Sequence, residues 1–187
     1  MEVNYDIFIS HLPVDSKLAF ALNRFIKDKF QPKFSIFLSS DGDTIIDGDV
    51  WLSRIQEGLK SCKIMLVLCS KNSVAKTWVN IEIGAAFQKG IDIIPICFGD
   101  MVKEQLPEPI KSLKPINLSE IQDFQQVFDR IAEKMNCKRI KILGKEYKKF
   151  LKDTKVHNSI NSDTLIIMMM IIMMVIIGVA IYYMVLS

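Results

Sequence analysis

Residues 165–186 are 22 consecutive apolar, aromatic or glycine residues without a single charge. As a helix, a run of this length rises about 33 Å, enough to cross a hydrocarbon core of about 30 Å. Buried core helices carry a polar face, and this run carries none. A signal peptide's apolar region is shorter and lies at the other end of the chain. The run therefore predicts one transmembrane helix over 164–187. Tyr182 and Tyr183 fall near its far end, where amphipathic rings favour the interface. Gly178 has no small residue four positions away, so no GxxxG pairing face is expected. The part of the chain that acts is expected to be a tethered head on one side of the bilayer.

Charge gives that head an expected orientation. Between 138 and 155 there are eight Lys or Arg and two acids, a net of +6 in a chain of net +3. Residues 1–137 are then slightly acidic, and the basic character belongs to the strip before the apolar run. Cationic flanks stay on the cytoplasmic side and are drawn to anionic lipid. The strip reads as a basic juxtamembrane linker over 138–163 that contacts the lipid surface. A solvated lysine-rich helix is the plainer alternative. The strip's aromatic pair, Tyr147 and Phe150, comes with no recognisable nucleic-acid-binding fold, so no nucleic acid is expected as partner. Cys62, Cys69, Cys97 and Cys137 show no metal or redox spacing. Three of them lie in or beside apolar runs, where a thiol acts as a small hydrophobe and a reducing compartment suits it.

The first 137 residues suffice for one domain with its own core. Apolar runs at 5–9, 34–38, 64–68, 91–97 and 114–118 predict strands, the third buried on both faces. Helical spacing follows Asp15, with Leu18, Leu22, Phe25 and Ile26 on one face, and recurs at Ile55 and Leu59 and over 77–88. It returns at Ile121, Phe124, Phe128, Ile131 and Met135. This alternation argues for α/β architecture, a parallel sheet with helices on both faces. Ligands of such sheets bind beyond the carboxyl ends of the strands. That directs attention to Ser10 and His11 after the first strand, Ser39 after the second, and Ser70 after the third. Neither Gly-rich phosphate loop is present, and with His11 and His157 the only histidines, zinc chemistry is not expected.

Several segments together become specific. Tyr5-Asp-Ile-Phe-Ile-Ser-His11 opens the chain, and Ile46-Asp-Gly-Asp-Val-Trp51 leads into a helix. Leu66-Val-Leu-Cys-Ser70 precedes Thr77-Trp-Val-Asn-Ile-Glu82. In this order they resemble a Toll/interleukin-1 receptor (TIR) domain, of the kind common in bacteria, over roughly 3–135. The resemblance implies a flavodoxin-like five-stranded parallel sheet of order 2-1-3-4-5. It also implies cleavage of NAD+ at the nicotinamide–ribose bond, with NAD+ as substrate and no cofactor. Its catalytic glutamate maps onto Glu82, and the aromatic four residues earlier onto Trp78. Positions i and i+4 share a helix face.

That chemistry needs little machinery. Nicotinamide leaves a pyridinium as a neutral ring, so no general acid is required. A carboxylate near the ribose stabilises the oxocarbenium-like transition state, and an aromatic wall holds the ring. Ser10, His11, Ser39 and Ser70 would make polar contacts to substrate. The loop 39–49 matches the family's assembly loop, in which Asp43, Ile46, Asp47 and Gly48 would mediate contacts with another copy or another TIR domain. Its aspartates lack the register of a calcium loop. It also has no proline at its tip, unlike receptor-type adaptors, a departure that favours the enzymatic branch. The expectation is a membrane-anchored TIR NAD+ glycohydrolase or cyclase, active when assembled, in bacterial antiphage defence or signalling. The alternative is a non-enzymatic TIR adaptor.

Overall fold

A computed structural model describes residues 4–31, 33–40, 53, 55–154 and 174 of the chain. The chain divides into two compact units, 1–157 and 158–187. Apart from residue 174, the expected membrane span over 164–187 and residues 155–163 before it lie outside the described residues. Among those described, no helix is long and apolar enough to cross a membrane.

The first unit runs β1 (Ile7–His11), α1 (Ser16–Lys29), β2 (Ile36–Ser40), β3 (Ile64–Cys69), α2 (Thr77–Gln88) and β4 (Asp92–Cys97). It continues with β5 (Ile116–Asn117), α3 (Ile121–Lys134) and α4 (Gly144–Thr154). The five strands form one sheet in the order β2-β1-β3-β4-β5. Every neighbouring pair is parallel, as strand–helix alternation and the TIR resemblance anticipate. β3 lies between β1 and β4, and all six of its residues are buried, which is why it reads as an unbroken apolar run.

Alternation along the strands sorts the core into two layers. Ile7, Ile9, Ile64, Leu66 and Leu68 pack against α1, α3 and α4 on one face. Phe8, Met65, Val67 and Cys69 pack with Ile55, Leu59 and α2 on the other. Gly58, in the helical turn at 55–58, lies so close to the sheet that a Cβ there would fall 2.8 Å from the Phe37 ring and 2.9 Å from Phe8. α2 ends at Gly90, whose φ of +67° closes a Schellman turn. The Ile91 amide donates to the Ala86 carbonyl and the Gly90 amide to that of Phe87.

Two strands are displaced from the sequence expectation. β1 and β2 each begin and end two residues later than their apolar runs suggested, because polar residues at their ends stay in the ladder: Ser10 pairs with Ser39 and His11 with Ser40.

The strip from 138 also departs from a linker. It folds back on the head, and 144–154 is a helix whose Tyr147 and Phe150 are core residues. Phe150 meets Phe25 edge-to-face and Phe124 at a tilt, with centroid distances of 5.6 and 4.8 Å, and the Tyr147 hydroxyl donates to the Leu118 carbonyl. Gln125 anchors the approach to this helix, donating to the Ile140 carbonyl and accepting from the Ile142 amide. The compact unit therefore runs past 137, because two aromatics three residues apart supply an apolar face that the cleft between α1 and α3 buries. Phe150→Ala is expected to lower unfolding free energy by about 3–5 kcal/mol, measured by urea denaturation. A helix detached from the head would show no such loss.

Candidate functional site

Ser10 and Ser39 stand opposite each other at the carboxyl ends of β1 and β2. One pair earlier on the same face, the Phe8 and Phe37 rings stack at 5.1 Å. α2 covers this face with Val79, Ile83 and Ala86. Glu82 belongs to the same buried stripe by its helical spacing, and it is 0% exposed. A carboxylate in that position would be costly to bury alone. It is met by two hydroxyls: Ser10 Oγ donates to Oε2 at 2.5 Å, and Ser39 Oγ donates to Oε1. Each carboxylate oxygen thus has its own donor, one from each of two adjacent strands. Charge-assisted bonds of this kind are stronger than neutral ones and hold the group in one orientation.

The other expected site residues are distributed differently. His11 follows Ser10 in the strand and so projects to the opposite face, with Ile7 and Ile9. Its Nδ1 lies 3.3 Å from the Ile9 carbonyl, and its buried Nε2 has no hydrogen-bond partner among the described residues. Burial lowers its pKa, partly opposed by the Ile9 contact. The sheet therefore separates His11 from Glu82. Ser70 closes the turn after β3: its amide donates to Ser73 Oγ at 2.7 Å, and the Ser73 amide donates back to Ser70 Oγ at 3.2 Å. Ser70 Oγ also donates to Asp15 Oδ2 at 3.4 Å, just before α1. Burial pushes the Asp15 carboxyl above its ordinary range, with the Ser70 bond opposing.

Trp78 occupies α2 one turn before Glu82, and its side chain lies outside the described residues, as do Asp43, Ile46, Asp47 and Gly48. No group of three or more His, Cys, Asp or Glu among the described residues is placed to hold a metal. Cys69 and Cys97 face each other across β3 and β4, both fully buried. Burial raises the Cys69 thiol and pushes Cys97 up to about 11, so both stay protonated and inert.

A family profile described as the TIR domain matches residues 7–132, about two-thirds of the chain. This chain belongs to the TIR domain family. Among solved structures it is similar to the TIR domains in the activated Roq1 resistosome directly recognizing the pathogen effector XopQ. The identity is 15%, over 92% of this chain and 99% of that one, with a TM-score of 0.39. That likeness is too distant to carry a functional reading. No curated protein matches the chain.

Within this TIR domain, sequence reasoning anticipated Ser10, Ser39 and Glu82 as site residues but not that the serines bind the glutamate. The signal was present: Glu82 interrupts an apolar helical stripe, and acids at core positions are rare unless paired. Asp15 was missed because its partner, Ser70, is 55 residues away in the chain. Ser39→Ala is expected to cost about 1.5–3 kcal/mol, the value of a hydrogen bond to a charged group, read as a fall in urea midpoint. The loss should shrink in a Glu82→Gln background, because the two residues share one bond.

His11 supplies a pH test. Its folded pKa is depressed, so the unfolded chain takes up the proton first, and stability falls as pH drops through the unfolded value of about 6.5. Melting temperature should therefore decline from pH 7.5 to 6, and His11→Gln should flatten that part of the profile.

Proposed function

We propose that this TIR domain is a membrane-anchored NAD+ glycohydrolase or cyclase that acts when heads assemble, in bacterial antiphage defence or signalling. One observation carries the reading. The acid that maps onto the family's catalytic glutamate is buried against the α2-facing side of β1 and β2, where Ser10 and Ser39 orient it. Helix packing supplies the position, and the strand ends supply the donors.

In the reaction, the Glu82 carboxylate would accept hydrogen bonds from the ribose hydroxyls and stabilise positive charge developing at the anomeric carbon. Departure of neutral nicotinamide asks nothing further of an acid. Water or the adenine end of the same molecule would then capture the ribosyl cation, giving ADP-ribose or a cyclic product. At 0% exposure, Glu82 is closed to substrate in the conformation described. Catalysis therefore requires α2 to move relative to the serines, or the serine hydroxyls to rotate away and yield their place to the ribose. Assembly through the loop at 39–49 is the step we assign to that opening. The apolar run at 165–186 would confine the heads to a plane and raise their effective concentration.

Wild type and Glu82→Gln, reconstituted in vesicles and clustered, should differ in NAD+ consumption by at least a hundredfold, consistent with loss of an electrostatic stabiliser. Mass spectrometry of the nucleotides identifies the product. Equal consumption by the two proteins would overturn the assignment.

The full burial of Glu82 also favours a second reading, a non-enzymatic adaptor in which the carboxylate only ties α2 to the sheet. In that case Glu82→Gln would leave signalling intact, whereas substitution of Ile46 or Gly48 would break it.

A further inference from the structure

α4 has two unlike faces. Tyr147, Phe150 and Leu151 pack against the head. Lys145, Lys148, Lys149 and Lys152 are exposed, and their spacing places them on one side of the helix. The two acids of α4 are occupied by cations of the head. Lys29 donates to Glu146 at 2.6 Å, and Arg24 lies 4.0 Å from Asp153. None of the four lysines makes an ion pair among the described residues. Lys149 lines a cleft with Asp28, Glu146 and Asp153, whereas Lys145, Lys148 and Lys152 lie outside it, and exposed Lys138 and Lys141 precede them in the chain.

We propose that the lysine face of α4 docks on an anionic phospholipid bilayer and sets how the head stands on it. Two features select lipid as the occupant. The first is charge: each lysine near an anionic surface contributes a factor of about five in affinity, so four together suffice for stable contact. The second is reach. Only residues 155–164 separate the end of α4 from the apolar run at 165. Fully extended, they span at most about 35–40 Å. If the run is a span, α4 can never leave the neighbourhood of the bilayer surface. Because its other face belongs to the core, docking α4 orients the whole head rather than a loose linker. The inference rests on the membrane reading for this proximity and is independent of NAD+ cleavage.

The test uses the full chain in vesicles of phosphatidylcholine alone or with about one-third phosphatidylserine. A membrane-impermeant amine reagent labels lysines, and mass spectrometry reads each position. Labelling at Lys145, Lys148, Lys149 and Lys152 should fall about threefold or more in the anionic vesicles. Exposed Lys71 and Lys76, on the turn after β3, should stay unchanged. High salt should restore labelling, since screening shortens the Debye length from about 10 Å at 0.1 M to about 3 Å at 1 M. Equal labelling in the two vesicles, or protection of all lysines alike, would overturn the docking face. Flotation with neutral vesicles at high salt reports the span alone. A chain that floats only with anionic vesicles, and is released by salt, would refute the span and uphold the docking face.

Discussion

The interaction on which this face of the sheet depends is a carboxylate buried against two hydroxyls. Glu82 lies on the core stripe of α2, where an unpartnered charge would cost more than a single helix could offset. Ser10 and Ser39 can meet it only if β1 and β2 are in their observed register. A slip of one residue in either strand would turn its serine to the opposite face. The pair of bonds therefore specifies strand register and helix placement together, in addition to holding the acid in one orientation. The same contacts that stabilise the fold cover both oxygens of the carboxylate. Stability and access to the carboxylate are in direct competition at this point of the structure.

On the other face of the sheet the governing contact is aromatic. Phe25, Phe124, Phe128, Tyr147 and Phe150 form a continuous cluster joining α1, α3 and α4. It converts a lysine-rich stretch that looked like a tether into a rigid part of the head. Whatever α4 touches, the sheet and the Glu82 site are oriented with it. The two faces thus differ in role: one holds the acid, and the other fixes α4 to the sheet.

Much of this was legible in the residues themselves. The alternation of apolar runs with helical periodicity led to a parallel α/β sheet, and its motifs led to the strand order. α2 was delimited correctly, from Thr77 to Gln88, because Gly90 marks its end. Other parts were not legible. β1 and β2 were placed two residues early because polar residues at strand ends look like loop until their cross-strand partners are known. His11 and Ser10 looked like one pair of ligands, yet the pleat separates neighbours in a strand. Tyr147 and Phe150 were visible but had no obvious surface to pack on, since that surface is built from α1 and α3, which lie far away in the chain.

By itself the sequence determined the class of fold, the family and the acid on which the proposed chemistry turns. These rest on local periodicity and short motifs, which a single chain displays without any knowledge of its long-range contacts. Only the tertiary structure decided that Glu82 is sealed by Ser10 and Ser39, that His11 stands on the opposite face, and that the basic strip is a helix of the core. Each of these depends on pairings between segments tens of residues apart, and such pairings exist only once the sheet has brought the segments together.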